Sequence, residues 1–197
     1  MIRAIIFDFD KMVHLTEDLF SKWVTRKYDL SQDKVTEFFT KEYPLCRIGK
    51  LDTKEVLKEK LPEFKWKNSV EDFIKCWSEY GSIDDRIIEL IDRLRRKNII
   101  CVLVTNNEKY RMEYCKEKYR LNEIFDHILI AAELGYLKPD QQMLDKIVEV
   151  TKLERGEILF CDDKNSSIEA AENFGFRTFH YSNYEGFELF LKKNNLI

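Results

Sequence analysis

A doubly wound parallel α/β sheet carrying an inserted helical bundle is the fold this sequence predicts. Short apolar runs recur along the chain, each stops at polar residues, and helical patterns lie between them. About 90 residues separate the first run from the second, far more than one crossover helix needs, which predicts an insertion there.

The first run, in "RAIIFDFD", reads as a short strand buried on both faces, the pattern of parallel sheets. The segments "TEDLFSKWVTRKY", "SQDKVTEFFTKEY", "DTKEVLKEKL" and "SVEDFIKCWSEY" then predict four short helices, with Ser31, Asp52 and Ser69 as N-caps. They make a small bundle over residues 16–82, tethered by hinges near 13–17 and 80–84, while residues 1–15 and 83–197 build the α/β domain. Trp23, Trp66 and Trp77 read as the core of that bundle rather than as a stacking platform. In "DDRIIELIDRLRRK" the residues Ile87, Leu90, Ile91 and Leu94 repeat at helical spacing behind Ser82 as N-cap. The remaining strands are "IICVLV" at 99–104, "HILIA" at 127–131, "EILFC" at 157–161 and "FRTFHY" at 176–181.

Composition suits a globular chain of this kind. The 197 residues carry 33 Lys and Arg against 36 Asp and Glu, and 44% are hydrophobic, 14 of them Phe, enough for a full core and an insertion. With 35% charged residues and only 6 Gly and 3 Pro, disorder and fibrous repeats are excluded. The two charge signs are interspersed, so no basic face for nucleic acid is expected. No run approaches a membrane span, and no signal segment is expected. Cys46, Cys76, Cys101, Cys115 and Cys161 form no CxxC pair and read as the reduced thiols of a cytoplasmic protein.

In open parallel sheets ligands bind beyond the carboxyl ends of the strands, so the residues ending each run carry the chemistry. These are Asp8-Phe9-Asp10, Thr105-Asn106-Asn107 and Asp162-Asp163, with Lys138-Pro139-Asp140 after the third run. Four converging carboxylates repel one another and call for a cation; sparse carboxylate ligation suits Mg²⁺. With Thr105 offering a hydrogen bond and Lys138 a positive charge, the set describes a phosphoryl-transfer site.

The same residues resemble the haloacid dehalogenase-like hydrolase superfamily, four of whose motifs occur in order along the whole chain. "IIFDFDKMV" is similar to the first motif, "VLVTNN" to the second, "GYLKPD" to the third and "ILFCDDKNSSIEAA" to the fourth. The insert resembles the helical cap of the first cap class, over a Rossmann-like core. "RIGKLDTKEVL" within it is similar to a turn and helix of sugar-phosphatase-like members.

The resemblance implies Asp8 as nucleophile, forming an aspartyl-phosphate, and Asp10 as general acid and then base. Thr105, Asn106 and Lys138 would hold the phosphoryl group. Mg²⁺ would be held by Asp8, the Asp10 carbonyl and Asp163, with Asp162 as a direct or water-mediated ligand. Lys11, His14 and Arg47 are weaker candidates for touching the substrate. Lys11 stands where the family commonly has a small residue, Met12 where Thr or Val is usual, and Ser167 where Asn is common.

The function expected is Mg²⁺-dependent hydrolysis of a small phosphorylated metabolite, a sugar phosphate in the first instance. A phosphomutase of the β-phosphoglucomutase type or a non-catalytic binding protein on the same fold are the alternatives. Asp10 argues against carbon–halogen displacement, which needs no acid at that place. The order of acidic pair and phosphorylated Asp argues against a signalling receiver domain.

Overall fold

The computed structural model describes residues 1–197. In chain order the elements begin with β1 (Ala4–Phe7), β2 (His14–Leu15), α1 (Phe20–Tyr28), α2 (Gln32–Lys41) and α3 (Tyr43–Cys46). Next come α4 (Thr53–Phe64), α5 (Val70–Glu79), β3 (Ser82–Ile83), α6 (Asp85–Arg96), β4 (Ile100–Thr105), α7 (Lys109–Lys118) and α8 (Leu121–Ile124). The chain closes with β5 (His127–Ile130), α9 (Ala131–Leu134), α10 (Gln141–Thr151), β6 (Ile158–Asp162), α11 (Asn165–Phe174), β7 (Arg177–His180) and α12 (Tyr184–Lys193).

Five strands form one parallel sheet in the order β5-β4-β1-β6-β7. The central strand β1 explains why the sheet is buried on both sides. Successive side chains of a strand point to opposite faces, and the core splits along that parity. Ile5, Phe7, Cys101, Leu103, Leu159 and Cys161 face one layer, packed under α6, α7 and α12 by Ile87, Leu90, Met112, Cys115 and Phe187. Ala4, Ile6, Val102, Val104, Ile158 and Phe160 face the other, packed under α10 and α11 by Met143, Ile147 and Ala171. Fully apolar strands follow from having no solvent face.

Helices α1 to α5 lie between β2 and β3 and bury a core of their own, built on Phe20, Phe38, Phe64, Phe73 and Trp77. Trp66 joins it, and Trp23 packs against its edge. The two passages of chain between sheet and insert pair with each other as an antiparallel ladder, His14 opposite Ile83 and Leu15 opposite Ser82. The insert also rests on α7, where the Tyr110 hydroxyl donates to Asp52 and the Tyr114 hydroxyl to Glu79.

Several local expectations change. The insert holds five helices, because the segment ending at Tyr43 breaks after Lys41 and restarts as α3 with Pro44 in its first turn. Helix α4 continues through Pro62 to Phe64, whose ring is fully buried in the insert core. Ser82 is drawn into β3, and Asp84 caps α6 instead, accepting from the Arg86 amide at 3.1 Å. Asp52 and Ser69 do cap α4 and α5 with their side chains, whereas Ser31 makes no such bond at α2. No helix is long and apolar enough to cross a membrane, and all five cysteines are free thiols, four of them buried.

Candidate active site

The carboxyl ends of β1, β4 and β6 open into a cleft of about 670 Å³ between the sheet and the insert. Asp8, Asp10, Thr105, Lys138, Asp162 and Asp163 line its floor; Lys22, Gln32, Thr36, Tyr43 and Arg47 line the side facing them. Parallel pairing of β1 with β4 and β6 brings Asp8, Thr105 and Asp162 to one edge, since each lies at or just beyond the end of its strand.

Lys138 sits at the centre of the charges. Its Nζ is 2.7 Å from Asp8 Oδ1 and 2.8 Å from Asp162 Oδ2, and all three side chains are buried. Burial opposes the ammonium charge, but the two carboxylates outweigh it and hold Lys138 protonated. Asp8 Oδ1 also accepts from the Phe9 amide at 2.7 Å. Burial pushes the Asp8 carboxyl up to about 6; Lys138 opposes this, and Asp162 and Asp10 reinforce it. Asp162 Oδ1 accepts from the Lys164 amide at 3.0 Å, which opens the turn into α11.

One carboxylate oxygen each from Asp8, Asp162 and Asp163 can be chosen so that all lie within 4.8 Å of one another. An all-oxygen, anionic donor set of this spacing fits a hard divalent cation. Lys11 reaches the same group, its Nζ 3.0 Å from Asp163 Oδ2, from a backbone with φ of 67°. That left-handed conformation is one that glycine adopts without strain.

Asp10 belongs to a second network. Arg111, on α7, grips it with two nitrogens, Nη2 to Oδ1 at 2.7 Å and Nη1 to Oδ2 at 3.1 Å. The Asn107 amide donates to Asp10 Oδ2 and to Thr105 Oγ1, both at 2.7 Å, and its carbonyl accepts from Arg111. Burial would raise the Asp10 carboxyl, but Arg111 and Asn107 outweigh it and bring it to about 2.

Two expected site residues have side chains engaged elsewhere. His14 has a side chain with no solvent exposure, stacked on Phe9 at 5.1 Å between ring centres, so it does not reach the cleft. Burial and the nearby Arg111 push its imidazole down to about 4. Asn106 turns its side chain to the Lys138 backbone, donating to the carbonyl at 2.8 Å and accepting from the amide at 2.7 Å. It fixes the loop that carries Lys138 and also lines the cleft. Arg47 does line the cleft, its Nε buried without a partner. Met12 is core, and Ser167 is buried at the cleft edge.

Arg111 is the cleft residue that sequence reasoning passes over, and Asn107, which it names only as part of a strand end, joins Asp10 to Thr105. The available signal is an Arg between Tyr110 and Met112, on a helix whose buried residues are Arg111, Met112 and Cys115. A charged side chain among buried ones demands a partner.

Comparison with known proteins agrees with the geometry. The chain is 27% identical over 195 residues to a D-ribitol-5-phosphate phosphatase of Bacteroides thetaiotaomicron, covering 93% of each. A predicted haloacid dehalogenase-like hydrolase from Porphyromonas gingivalis superposes with a TM-score of 0.82 at 19% identity, over 99% of this chain and 98% of that one. A haloacid dehalogenase family enzyme from Bacteroides thetaiotaomicron, crystallised with magnesium and inorganic phosphate, superposes with a TM-score of 0.74 at 14% identity, over 95% and 99% of the two chains. These two likenesses establish the fold. The family profile described as haloacid dehalogenase-like hydrolase matches residues 5–180, and the chain belongs to that family.

Proposed function

We propose that this protein is a Mg²⁺-dependent phosphatase that hydrolyses a small phosphorylated metabolite, a sugar or polyol phosphate, through a phosphorylated Asp8. The observation that carries the reading is the buried Lys138 bridging Asp8 and Asp162, with Thr105 on the same edge and Asp10 two residues from the nucleophile. The similarity to a D-ribitol-5-phosphate phosphatase supports the substrate class. So does a cleft whose facing side offers Gln32, Thr36, Tyr43 and Arg47, groups that hydrogen-bond hydroxyls.

Asp8, Asp163 and the Asp10 carbonyl would hold the Mg²⁺, with Asp162 beside them. When bound, the ion offsets the charge of the phosphoryl oxygens against the surrounding carboxylates. Lys138 and Thr105 hold the phosphoryl group by charge and hydrogen bond. An Asp8 oxygen attacks phosphorus as the bond to the leaving oxygen breaks, and Asp10 gives that oxygen a proton. In the resting protein Arg111 keeps Asp10 ionised, so the proton it gives arrives with the substrate as a phosphate monoanion. In the second step Asp10 takes a proton from water, the water oxygen attacks phosphorus, and the bond to Asp8 breaks.

The test is phosphate release from a panel of sugar, polyol and nucleoside monophosphates, with Mg²⁺ and with excess chelator. Mg²⁺-dependent turnover, strongest on a polyol or sugar phosphate and lost in Asp8→Asn, is the expected result. Full turnover in chelator, or in Asp8→Asn, overturns the mechanism; a strong preference for nucleotides overturns the substrate class.

A further inference from the structure

Arg111 is a buried cation with one carboxylate in reach. Its side chain is 4% exposed, and Asp10, itself 45% exposed, is its ion-pair partner. A buried guanidinium carries a desolvation cost that only good geometry offsets. The geometry here is the planar fork that suits Arg to carboxylates, both Asp10 oxygens being engaged by separate nitrogens. Asn107 adds a third bond to Oδ2. The Arg111 Nε is buried with no acceptor, so the fork is aimed by its two outer nitrogens alone.

The surroundings hold the fork from both sides of the cleft. Its guanidinium carbon lies 5.5 Å from the Phe9 ring centre on the sheet side and 5.8 Å from that of Trp77 on α5 of the insert. The Tyr43 hydroxyl, also on the insert, approaches Asn107 Oδ1 at 3.4 Å. A carboxylate nearly half exposed would otherwise be free to turn into solvent.

We propose that Arg111 is a positioning residue for Asp10: its fork, braced by Asn107, fixes the direction in which the Asp10 carboxylate meets the leaving oxygen. The inference rests on the phosphatase reading. A group that aims the acid matters in proportion to how much the leaving group needs a proton. A 4-nitrophenyl ester leaves unaided, whereas an alkyl ester does not.

The experiment measures kcat and KM with Mg²⁺ for 4-nitrophenyl, phenyl and alkyl phosphates in the parent, Arg111→Lys and Arg111→Met. Arg111→Lys keeps the charge and loses the fork; Arg111→Met keeps much of the volume and loses both. In both variants kcat/KM, which reports the phosphorylation of Asp8 and not the later attack of water, is expected to fall about 10- to 100-fold on the alkyl ester and to stay within about threefold on the 4-nitrophenyl ester. The dependence of kcat/KM on leaving-group basicity therefore steepens. An equal fall of kcat/KM on every ester means a structural role and overturns the inference, as does parental kcat/KM on the alkyl ester. Should Arg111→Met fail to fold, Arg111→Lys decides, with circular dichroism confirming its fold. A parent protein inert towards every ester overturns the phosphatase reading and this inference with it. An active parent with insensitive Arg111 variants overturns this inference alone.

Discussion

Asp8 and Asp10 share one turn and meet opposite surroundings. Burial lifts the first to about 6, while Arg111 and Asn107 overcome burial at the second and bring it to about 2. These values run opposite to the usual pairing of a raised acid with an ionised partner, which is why the proposed acid, Asp10, draws its proton from the substrate. Asp10→Asn would remove the proposed acid and the proposed base together. With an aryl phosphate Asp8 should still be phosphorylated while water attack stays slow, so intact-protein mass should show one added phosphoryl group, labile to hydroxylamine. Parental turnover of an alkyl phosphate by that variant would remove Asp10 from the mechanism.

His14 gives a pH prediction. Its folded-state value of about 4 lies below the ordinary 6.5, so the unfolded chain takes up a proton that the native state refuses between those limits. Stability from this group is complete above 6.5 and is lost as pH falls through the window, about 2 kcal/mol of it by pH 5. Asp8 acts in the opposite sense, since its raised value makes the native state bind its proton more tightly. Comparing parent with His14→Phe isolates the histidine: urea midpoints at pH 7.5 and 5 should show the variant losing about 2 kcal/mol less on acidification. An equal loss would contradict the buried neutral imidazole.

What the sequence makes legible follows from what each residue depends on. Asp8, Thr105 and Asp162 stand where apolar runs stop, and a parallel sheet carries such positions to one edge whatever lies between. Arg111 depends on how α7 turns against the insert, which no local pattern records. Asn106 and His14 lie close to candidate site residues in sequence, but their side chains turn to the Lys138 backbone and to Phe9.

At the scale of elements, β2 and β3 matter more than their length suggests. Gly81, at the start of the return passage, has φ of 101°, and a Cβ there would lie 2.3 Å from the Leu15 carbonyl oxygen. Gly81→Ala must therefore displace the ladder as well as strain the backbone. It should cost about 2–4 kcal/mol in a denaturant melt. Because the insert is attached through that ladder, KM for the preferred substrate should rise as well. A neutral Gly81→Ala would show that the ladder does not set the insert's position. Helices and long strands are legible through their periods; the ladder is not, since two residues on each passage make no recognisable strand.

For the whole molecule, the divalent ion and the native fold should be linked. An ion that binds only the folded protein adds about 2.7 kcal/mol at one hundred times its dissociation constant, a rise of roughly 5–10 °C in Tm for a chain this size. Asp163→Asn should shrink the shift, read by calorimetry with and without Mg²⁺. An Mg²⁺-insensitive melting temperature would argue against a site at Asp8, Asp162 and Asp163.

The ladder between β2 and β3 also bears on how the chain folds. Strand β1 pairs with β4 across the entire insert, so an unfolded insert makes that pairing close a loop of about ninety residues. Once α1 to α5 are packed and the ladder is zipped, the path shortens about fourfold, which lowers the closure cost by roughly 1 kcal/mol and speeds pairing roughly eightfold. The insert should thus gather before the sheet. Phe73→Ala, in the insert core and away from the sheet clusters, should then slow burial of the sheet's own residues in stopped-flow refolding. Unchanged sheet kinetics in that variant would mean that the sheet closes over a loose insert.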